Sequence, residues 1–492
     1  MKLKNKSSLV FGLWSLLSLC LFAFVVNSFA QEQPPVPSAP KSVSIPAVKE
    51  KKLPNGMTVA VVERKNVPIV TVQLLVKSGA SSESADKAGL ANMTASLLTK
   101  GTKTRTATQI AEQMEFLGGD LNTGAGWNNS VVSITVMSDK LDEALAILSD
   151  VVLNPAFKQE EIDLLKSQTL DGLTYNLKQP GFLASYVASR YSFNEHPAGG
   201  TPESLKRITS GDITVFHKEN YKPQSAVLIF TGDISFDKAN MTAEKFFSGW
   251  KNTNQAKAKA AIGSPVATTA KSAVNRILVV DLPNSGQASV NYSINVGSNG
   301  RGGKMYYPAS VLNSLLGGGY SSRLNQEIRI KRGLSYGAGS SFSWRLDKSN
   351  FGTRTQTKNE SAPEVTELVL AEVKKLAEGE IADVELNPRK SVLTGGFGRN
   401  LETTQGLAAA VSDLYSFGLP TSELNSYTND VQSVKDAQIR DFAKQNLLGG
   451  DIIIVGDYAK FKDDLAKRFP NTTIDVIKAD KLDLSKENLR LN

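Results

Sequence analysis

An internal repeat with an offset of about 220 residues constrains this fold more than any other feature of the sequence. Three elements recur in the same order in each half: a strand that leaves into a glycine turn, a helix with the pattern I-x-x-F-x-x-x-N, and an apolar strand ending in Gly-Asp. Their positions are 71–79 and 289–297, 213–220 and 439–446, and 228–233 and 452–457. A repeat of this length predicts two tandem domains of similar fold.

The composition between the two halves indicates where the domains are joined. Residues 252–273 are rich in Ala, Lys, Thr and Gly, and their apolar residues show no regular spacing, which is typical of a linker. The predicted segments are a first domain at 45–251, a linker at 252–273, a second domain at 274–480 and a tail at 481–492. Turn residues and apolar runs predict that the first domain opens with a strand pair, Thr58–Glu63 and Ile69–Ser78.

The first 30 residues have the pattern of a bacterial secretory signal. Three lysines among the first six residues precede an apolar run, and Ser28-Phe29-Ala30 fits the small-x-small cleavage site. The run from Leu9 to Val26 is close to the ~18 residues of a membrane span, so an uncleaved N-terminal anchor is an alternative. Residues 31–44 contain four prolines and are predicted to form an extended tether. We therefore expect a periplasmic protein.

Charge and cysteine content exclude several classes of protein. Loss of the signal segment would lower the net charge from +8 to +5 and remove Cys20, the only cysteine. Cys20 does not fit a lipoprotein site, because the bulky Leu19 precedes it. No run of Lys and Arg is interleaved with aromatic residues, so nucleic acid is not an expected partner. The exported chain is long enough to form a core without disulfides.

The stretch from Gly89 to Thr102 predicts a buried amphipathic helix. Its apolar residues recur at i, i+3, i+7 and i+8, and Gly101 ends the pattern. Asn92 and Ser96 are four residues apart and share one face of this helix, and Ala95 lies beside them.

The frame G-L-A-x-x-x-x-x-x-L-x-K-G-T resembles the active-site helix of the insulinase family of zinc peptidases, which includes pitrilysin and mitochondrial processing peptidase. In that family the variable middle carries the inverted zinc motif H-x-x-E-H. Here its three positions are Asn92, Ala95 and Ser96, and the family's further glutamate ligand aligns with Asp171 or Gly172. The resemblance implies a degenerate motif that binds no zinc. Asn92 and Ser96 are then either polar helix residues with no specific function or residues that have acquired a hydrogen-bonding role.

The two histidines do not restore a metal site. His196 precedes a proline, His217 lies within a predicted helix, and neither has partners at a known ligand spacing. We expect both to be structural.

The second half contains a glycine-rich turn after a predicted helix at 308–316. A phosphate cradle is excluded at 317–319, because the Lys-Ser/Thr of a P-loop is missing. A second helix is predicted from Tyr320 to about Arg332.

The segment from Gly317 to Ser340 also resembles the hallmark of the family's C-terminal domain, G-G-G-x-S-S-R-L followed by R-x-K-R-G-L-x-Y. The resemblance implies that Arg329 and Tyr336 hydrogen-bond a substrate carbonyl. The alternative is a salt bridge for Arg329 and a core cap for Tyr336.

The resemblance covers nearly the whole mature chain and implies an α+β fold. Each of the two tandem homologous domains would contain a mixed, mainly antiparallel β-sheet packed with helices, and together they would form half of a clam shell. It also implies a zinc-free subunit that binds peptide for a zinc-bearing partner subunit, with no cofactor and no catalysis of its own. A stand-alone peptide-binding or scaffold protein is the main alternative, and a hydrolase with rebuilt ligands is a third.

Overall fold

The computed structural model describes residues 44–251, 276–297, 300–346 and 348–491. The predicted signal segment, the linker and nearly all of the tether lie outside these ranges, so those assignments remain predictions. Among the described residues, no helix combines the length and the apolar character that crossing a membrane requires.

The first half of the chain, residues 44–251, forms one six-stranded sheet with the order β1-β2-β6-β3-β5-β4. Its strands are β1 Lys49–Lys52, β2 Thr58–Glu63, β3 Ile69–Val76, β4 Asp120–Ala125, β5 Ser130–Met137 and β6 Ala226–Gly232. Its helices are α1 Leu90–Leu97, α2 Ala107–Phe116, α3 Leu141–Leu153, α4 Gln159–Asn176, α5 Pro180–Tyr191, α6 Pro202–Arg207, α7 Ser210–Asn220 and α8 Phe236–Phe247.

The second half, residues 276–491, forms another six-stranded sheet with the order β12-β7-β11-β8-β10-β9. Its strands are β7 Ile277–Asp281, β8 Ala288–Asn295, β9 Ala338–Ser343, β10 Asn350–Thr357, β11 Asp451–Gly456 and β12 Ile474–Lys478. Its α-helices are α9 Tyr306–Leu316, α10 Ala362–Glu378, α11 Asp383–Leu401, α12 Thr404–Phe417, α13 Glu423–Ser433, α14 Asp436–Asn446 and α15 Lys462–Arg468, and a π-helical turn spans Asn325–Ile330.

The two sheets share the same arrangement of five strands, and the α+β fold class with two tandem homologous units is confirmed. Strands β2, β6, β3, β5 and β4 correspond to β7, β11, β8, β10 and β9, with the same parallel and antiparallel pairings. The predicted pairing of the first two apolar strands is wrong, because β6 lies between β2 and β3. The sixth strand also differs: β1 pairs antiparallel with β2, whereas β12 pairs parallel with β7.

Each sheet is covered on one face by a helix that belongs to the other half. Helix α12 packs its apolar residues against β2, β3 and β6 of the first sheet, and α5 packs against β7 and β11 of the second. The opposite face of each sheet packs against helices of its own half. Both faces are therefore buried, which explains the continuous apolar runs of β6, β7 and β11.

Candidate functional site

Helix α1 begins at a left-handed glycine and is capped by a carboxylate from an earlier loop. Gly89 has a φ of +95°, a conformation that glycine adopts without strain. The Glu83 carboxylate accepts hydrogen bonds from the backbone N–H groups of Gly89 at 2.8 Å and Ala91 at 2.6 Å. Since the first N–H groups of a helix have no partner within it, a negative charge is favoured there. Glu83 therefore fixes the start of the helix that carries the degenerate motif.

The three motif positions on α1 do not fit a zinc ion. The Asn92 side-chain N–H donates to the Ala198 backbone carbonyl at 2.7 Å. Ala95 is fully buried, and Ser96 is half-buried. A catalytic zinc needs about three nitrogen, oxygen or sulfur ligands from the protein. A neutral amide already bonded to the backbone, a methyl group and a hydroxyl do not meet that need.

The positions aligned with the family's further ligand add nothing to this site. Asp171 and Gly172 are both exposed on α4. Throughout the residues that the structure describes, no group of three or more His, Cys, Asp or Glu side chains is placed to hold a metal ion. The Asn92 bond is the hydrogen-bonding role that the sequence left as an alternative, and it ties α1 to the loop before α6.

His196 lies at the junction of the two halves, in a stack of side chains that the sequence analysis missed. Its Nε2 lies 3.1 Å from a Glu83 carboxylate oxygen, and its ring is 5.0 Å from the Trp127 ring. The Arg345 guanidinium, from the second half, lies 4.0 Å from the Trp127 ring centre and forms an ion pair with Glu195. These partners come from distant parts of the chain, so no local pattern could have revealed them.

His217 is buried within the first half. Its Nε2–H donates to the Val152 carbonyl at 2.9 Å, and its ring stacks on Tyr221 with a centroid separation of 4.8 Å. Burial lowers the pKa of His217 to about 4, so its imidazole is neutral near pH 7. Both histidines are thus engaged by protein groups.

The glycines at 317–319 allow two backbone segments to approach closely. A Cβ on Gly317 would collide with the backbone nitrogen of Ser340, whose N–H donates to the Gly317 carbonyl at 3.2 Å. A Cβ on Gly318 would lie 2.7 Å from the Ser314 Cα. The glycine turn therefore packs against β9 and α9.

Two arginines hold the residues after this turn against α11. The Arg323 guanidinium donates to both Glu385 carboxylate oxygens, each at 2.7 Å. Arg389 donates to the Ser321 carbonyl. A bidentate arginine–carboxylate pair restricts both distance and orientation. The backbone that leads to Arg329 is therefore held in place.

Arg329 lies in the π-helical turn and makes no ion pair with any described residue. The Lys331 N–H donates to the Gln326 carbonyl at 2.9 Å, five residues earlier, which is the π-helical pattern. The helix predicted from Tyr320 to Arg332 is thus present in a shorter and wider form. Such turns frequently occur at functional sites.

Tyr336 follows this turn and is 90% exposed. A side chain with this exposure does not cap a core, and among the described residues Arg329 does not form the salt bridge that the alternative interpretation required. Arg329 is half-buried and Tyr336 is exposed, and neither side chain donates a hydrogen bond to a residue that the structure describes.

The edge of the first sheet nearest α1 is open. The Gly126 N–H donates to the Asn129 carbonyl at 2.7 Å in the turn between β4 and β5. Because hydrogen-bonded and non-bonded pairs alternate in antiparallel strands, the backbone groups of Leu121, Thr123 and Ala125 point away from β5. No described residue forms a backbone hydrogen bond with them.

The equivalent edge of the second sheet is partly closed. In β9 the Ser340 N–H donates to the Gly317 carbonyl at 3.2 Å, and the Ala338 N–H donates to the Asn325 side-chain oxygen at 3.3 Å. The glycine turn and the π-helical turn thus use backbone donors that would otherwise face outwards. Of the two corresponding edges, β4 is the more accessible to an added strand.

Comparison with known proteins agrees with this architecture. Residues 58–179 match the family model described as Insulinase (Peptidase family M16), and residues 207–393 match the model described as Peptidase M16 inactive domain. Together the two matches span more than half of the chain, one in each half. The chain belongs to the insulinase peptidase family.

Relatives in this family carry two kinds of description. An uncharacterized zinc protease of Rickettsia bellii is 29% identical over 334 residues, which is 66% of this chain and 77% of that protein. The non-peptidase homolog YmxG of Helicobacter pylori is 25% identical over 403 residues, or 79% of this chain and 89% of that protein.

Two solved structures have the same fold as this chain. A peptidase M16 inactive domain from Pseudomonas fluorescens superposes with a TM-score of 0.74 at 25% identity, and covers 83% of this chain and 98% of its own. A protease from Helicobacter pylori superposes with a TM-score of 0.77 at 23% identity, over 84% and 100% of the two chains. Together with the residues of α1, the inactive-domain matches and the non-peptidase homolog support a non-catalytic member of the insulinase family.

Proposed function

We propose that this chain is the zinc-free subunit of a heteromeric insulinase-family peptidase in the periplasm. It binds and orients peptide or unfolded protein, and a zinc-bearing partner subunit hydrolyses it. The observation that carries the proposal is a contrast within the chain. The motif positions of α1 are used in packing and backbone bonding, whereas Arg329 has no ion pair among the described residues and Tyr336 is exposed.

The two accessible side chains suit a peptide carbonyl. A guanidinium and a phenol both donate hydrogen bonds, and donors aimed at a carbonyl oxygen polarise it and stabilise the oxyanion that forms during hydrolysis. Neither group can activate water as a metal does. In this proposal Arg329 and Tyr336 therefore hold the substrate, and the nucleophile comes from the partner's zinc site.

The open edge of β4 supports a role in binding extended chains. Helix α1 packs against β4, so this edge lies beside the former motif. An extended peptide can add to an exposed edge through main-chain hydrogen bonds, which are largely independent of its sequence. Such binding suits a protein that accepts many unfolded segments.

The same features are compatible with a second candidate, a stand-alone periplasmic peptide-binding or scaffold protein. Free donors and an open edge bind peptide whether or not a catalytic subunit is present. The two candidates differ in what accompanies the chain in the cell.

Affinity purification of the full chain from its native periplasm separates these candidates. The expected result is co-purification with an insulinase-family chain that has an intact H-x-x-E-H motif, with zinc in that chain only. Peptide binding without any zinc-bearing chain would favour the stand-alone protein. Chelator-sensitive peptide cleavage by this chain alone would overturn both candidates, and its loss on Asp171→Asn would indicate a rebuilt metal site.

A further inference from the structure

The Arg329 guanidinium lies over the ring of Tyr320. Its central carbon is 5.0 Å from the ring centroid, within the range of a cation–π interaction. Tyr320 is 64% exposed, so burial of the ring accounts for little of its placement. This contact is not part of the family resemblance, because position 320 is the variable residue of the G-G-G-x-S-S-R-L segment.

Two acidic side chains that belong to the π-helical turn or contact the segment before it are bound to other cations. Glu327 pairs with Lys331 and, at 2.5 Å, with Arg332. Glu385 accepts hydrogen bonds from Nε and Nη2 of Arg323. Glu327 and Glu385 are therefore paired with other cations, and the aromatic ring is the partner that the structure gives to Arg329.

A ring and a carboxylate hold an arginine in different ways. A carboxylate takes one or two of the five guanidinium N–H donors and neutralises the charge. The face of a ring attracts the charge and leaves the N–H groups at the edge of the guanidinium plane available. A stacked arginine is thus oriented but still able to donate.

The backbone beneath the ring is well anchored. The Asn325 side chain donates to the Tyr320 carbonyl at 2.5 Å, and Arg389 donates to the next carbonyl, that of Ser321. The preceding glycines pack closely against β9 and α9. The backbone of Tyr320 is therefore held in place, although its ring is exposed to solvent.

We propose that Tyr320 is a positioning residue that orients Arg329 for peptide binding. The inference rests on the proposed function, since it assigns a support to the guanidinium that would hold the substrate carbonyl. The ring reduces the number of conformations that Arg329 must give up on binding, without competing for its donors.

Fluorescence anisotropy with the full chain and fluorescein-labelled casein, an unstructured protein, tests this role. Tyr320→Ala should weaken binding about two- to fivefold, the range expected for an exposed cation–π contact. Tyr320→Phe keeps the ring and should bind like the wild type. Tyr320→Leu, which has similar bulk without a ring, should behave like Tyr320→Ala. Tyr175→Ala is a matched control, because Tyr175 is also exposed, at 66%, but lies on α4.

A double-mutant cycle separates failure of the inference from failure of the proposed function. If Tyr320 acts through Arg329, then Tyr320→Ala should have no further effect in an Arg329→Ala background. Equal effects in both backgrounds, or no effect of Tyr320→Ala where Arg329→Ala weakens binding, would overturn the positioning role alone. Absence of casein binding by the wild type, or no effect of Arg329→Ala, would instead contradict the proposal that Arg329 binds peptide.

Discussion

The two halves of this chain share a fold but treat their polar site positions in opposite ways. In the first half, Asn92 is bonded to a backbone carbonyl and Ala95 is buried, so the former motif now contributes to packing. In the second half, Arg329 rests on a ring and Tyr336 is exposed. The motif positions of the first half thus contribute to structure, whereas the side-chain N–H and O–H groups of Arg329 and Tyr336 form no hydrogen bond with a described residue.

The two sheets also differ in how accessible their corresponding edge strands are. The β4 edge of the first sheet has outward backbone groups without described backbone partners, whereas the glycine turn covers part of the β9 edge. The open edge thus belongs to the half with the degenerate motif, whereas Arg329 and Tyr336 belong to the half whose edge is partly closed. Peptide binding would need both halves, which the exchanged helices α5 and α12 hold together.

The largest expected effect concerns the donors of the second half. Arg329→Ala should slow peptide turnover by the reconstituted complex about 100-fold or more, because removing one oxyanion donor commonly costs ~2.7–4 kcal/mol. Assembly with the partner should be unchanged. Arg354→Ala is the control, since Arg354 is exposed on β10. An unchanged turnover rate for Arg329→Ala would contradict a role of Arg329 in peptide hydrolysis.

The histidines lie only in the first half, and one of them should make the protein sensitive to acid. The pKa of His217 is about 4 in the folded chain and 6.5 in its reference state. The unfolded chain therefore binds the proton more readily, and stability should fall as the pH decreases from 6.5 towards 4. The corresponding loss is at most about 3 kcal/mol.

Urea unfolding at pH 7 and at pH 4.5 measures this contribution. His217→Gln should lose less stability than the wild type between the two values, because glutamine has no proton to gain. Carboxylates that titrate in the same window affect both proteins equally. An identical loss in the variant would place the acid sensitivity elsewhere.

The open edge of β4 predicts an effect of intermediate size. Thr123→Pro removes an outward N–H and should weaken casein binding about three- to tenfold, the equivalent of about one net hydrogen bond. Thr123→Val keeps the N–H and should bind normally. If both variants bind like the wild type, with the fold checked by circular dichroism, peptide does not add at this edge.

The smallest effect should come from the former zinc motif. Asn92→Ala removes the bond to the Ala198 carbonyl and should lower the free energy of unfolding by about 1 kcal/mol, while casein binding stays the same. Neither zinc nor a chelator should change the melting temperature of the wild type. A zinc-dependent increase that is lost in Asn92→Ala would show that α1 still binds metal.

Much of the architecture was predictable because it depends on patterns along the chain. The repeat predicted two similar domains, and the shared arrangement of five strands in each sheet confirms it. The order within each sheet was less accessible: two apolar runs separated by a short turn suggest a hairpin, yet β6 pairs between β2 and β3. The stack of Trp127, His196 and Arg345 was also missed, because its members are far apart in sequence and have no shared spacing.

The sequence alone determined which chemistry is possible, because a metal ligand is a property of the side chain. An amide, a methyl group and a hydroxyl at positions 92, 95 and 96 offer no usable set of zinc ligands in any fold. Only the tertiary structure decided which remaining groups are available. Whether Arg329 meets a carboxylate or a ring, and whether β4 or β9 is covered, depends on contacts between segments that no local pattern specifies.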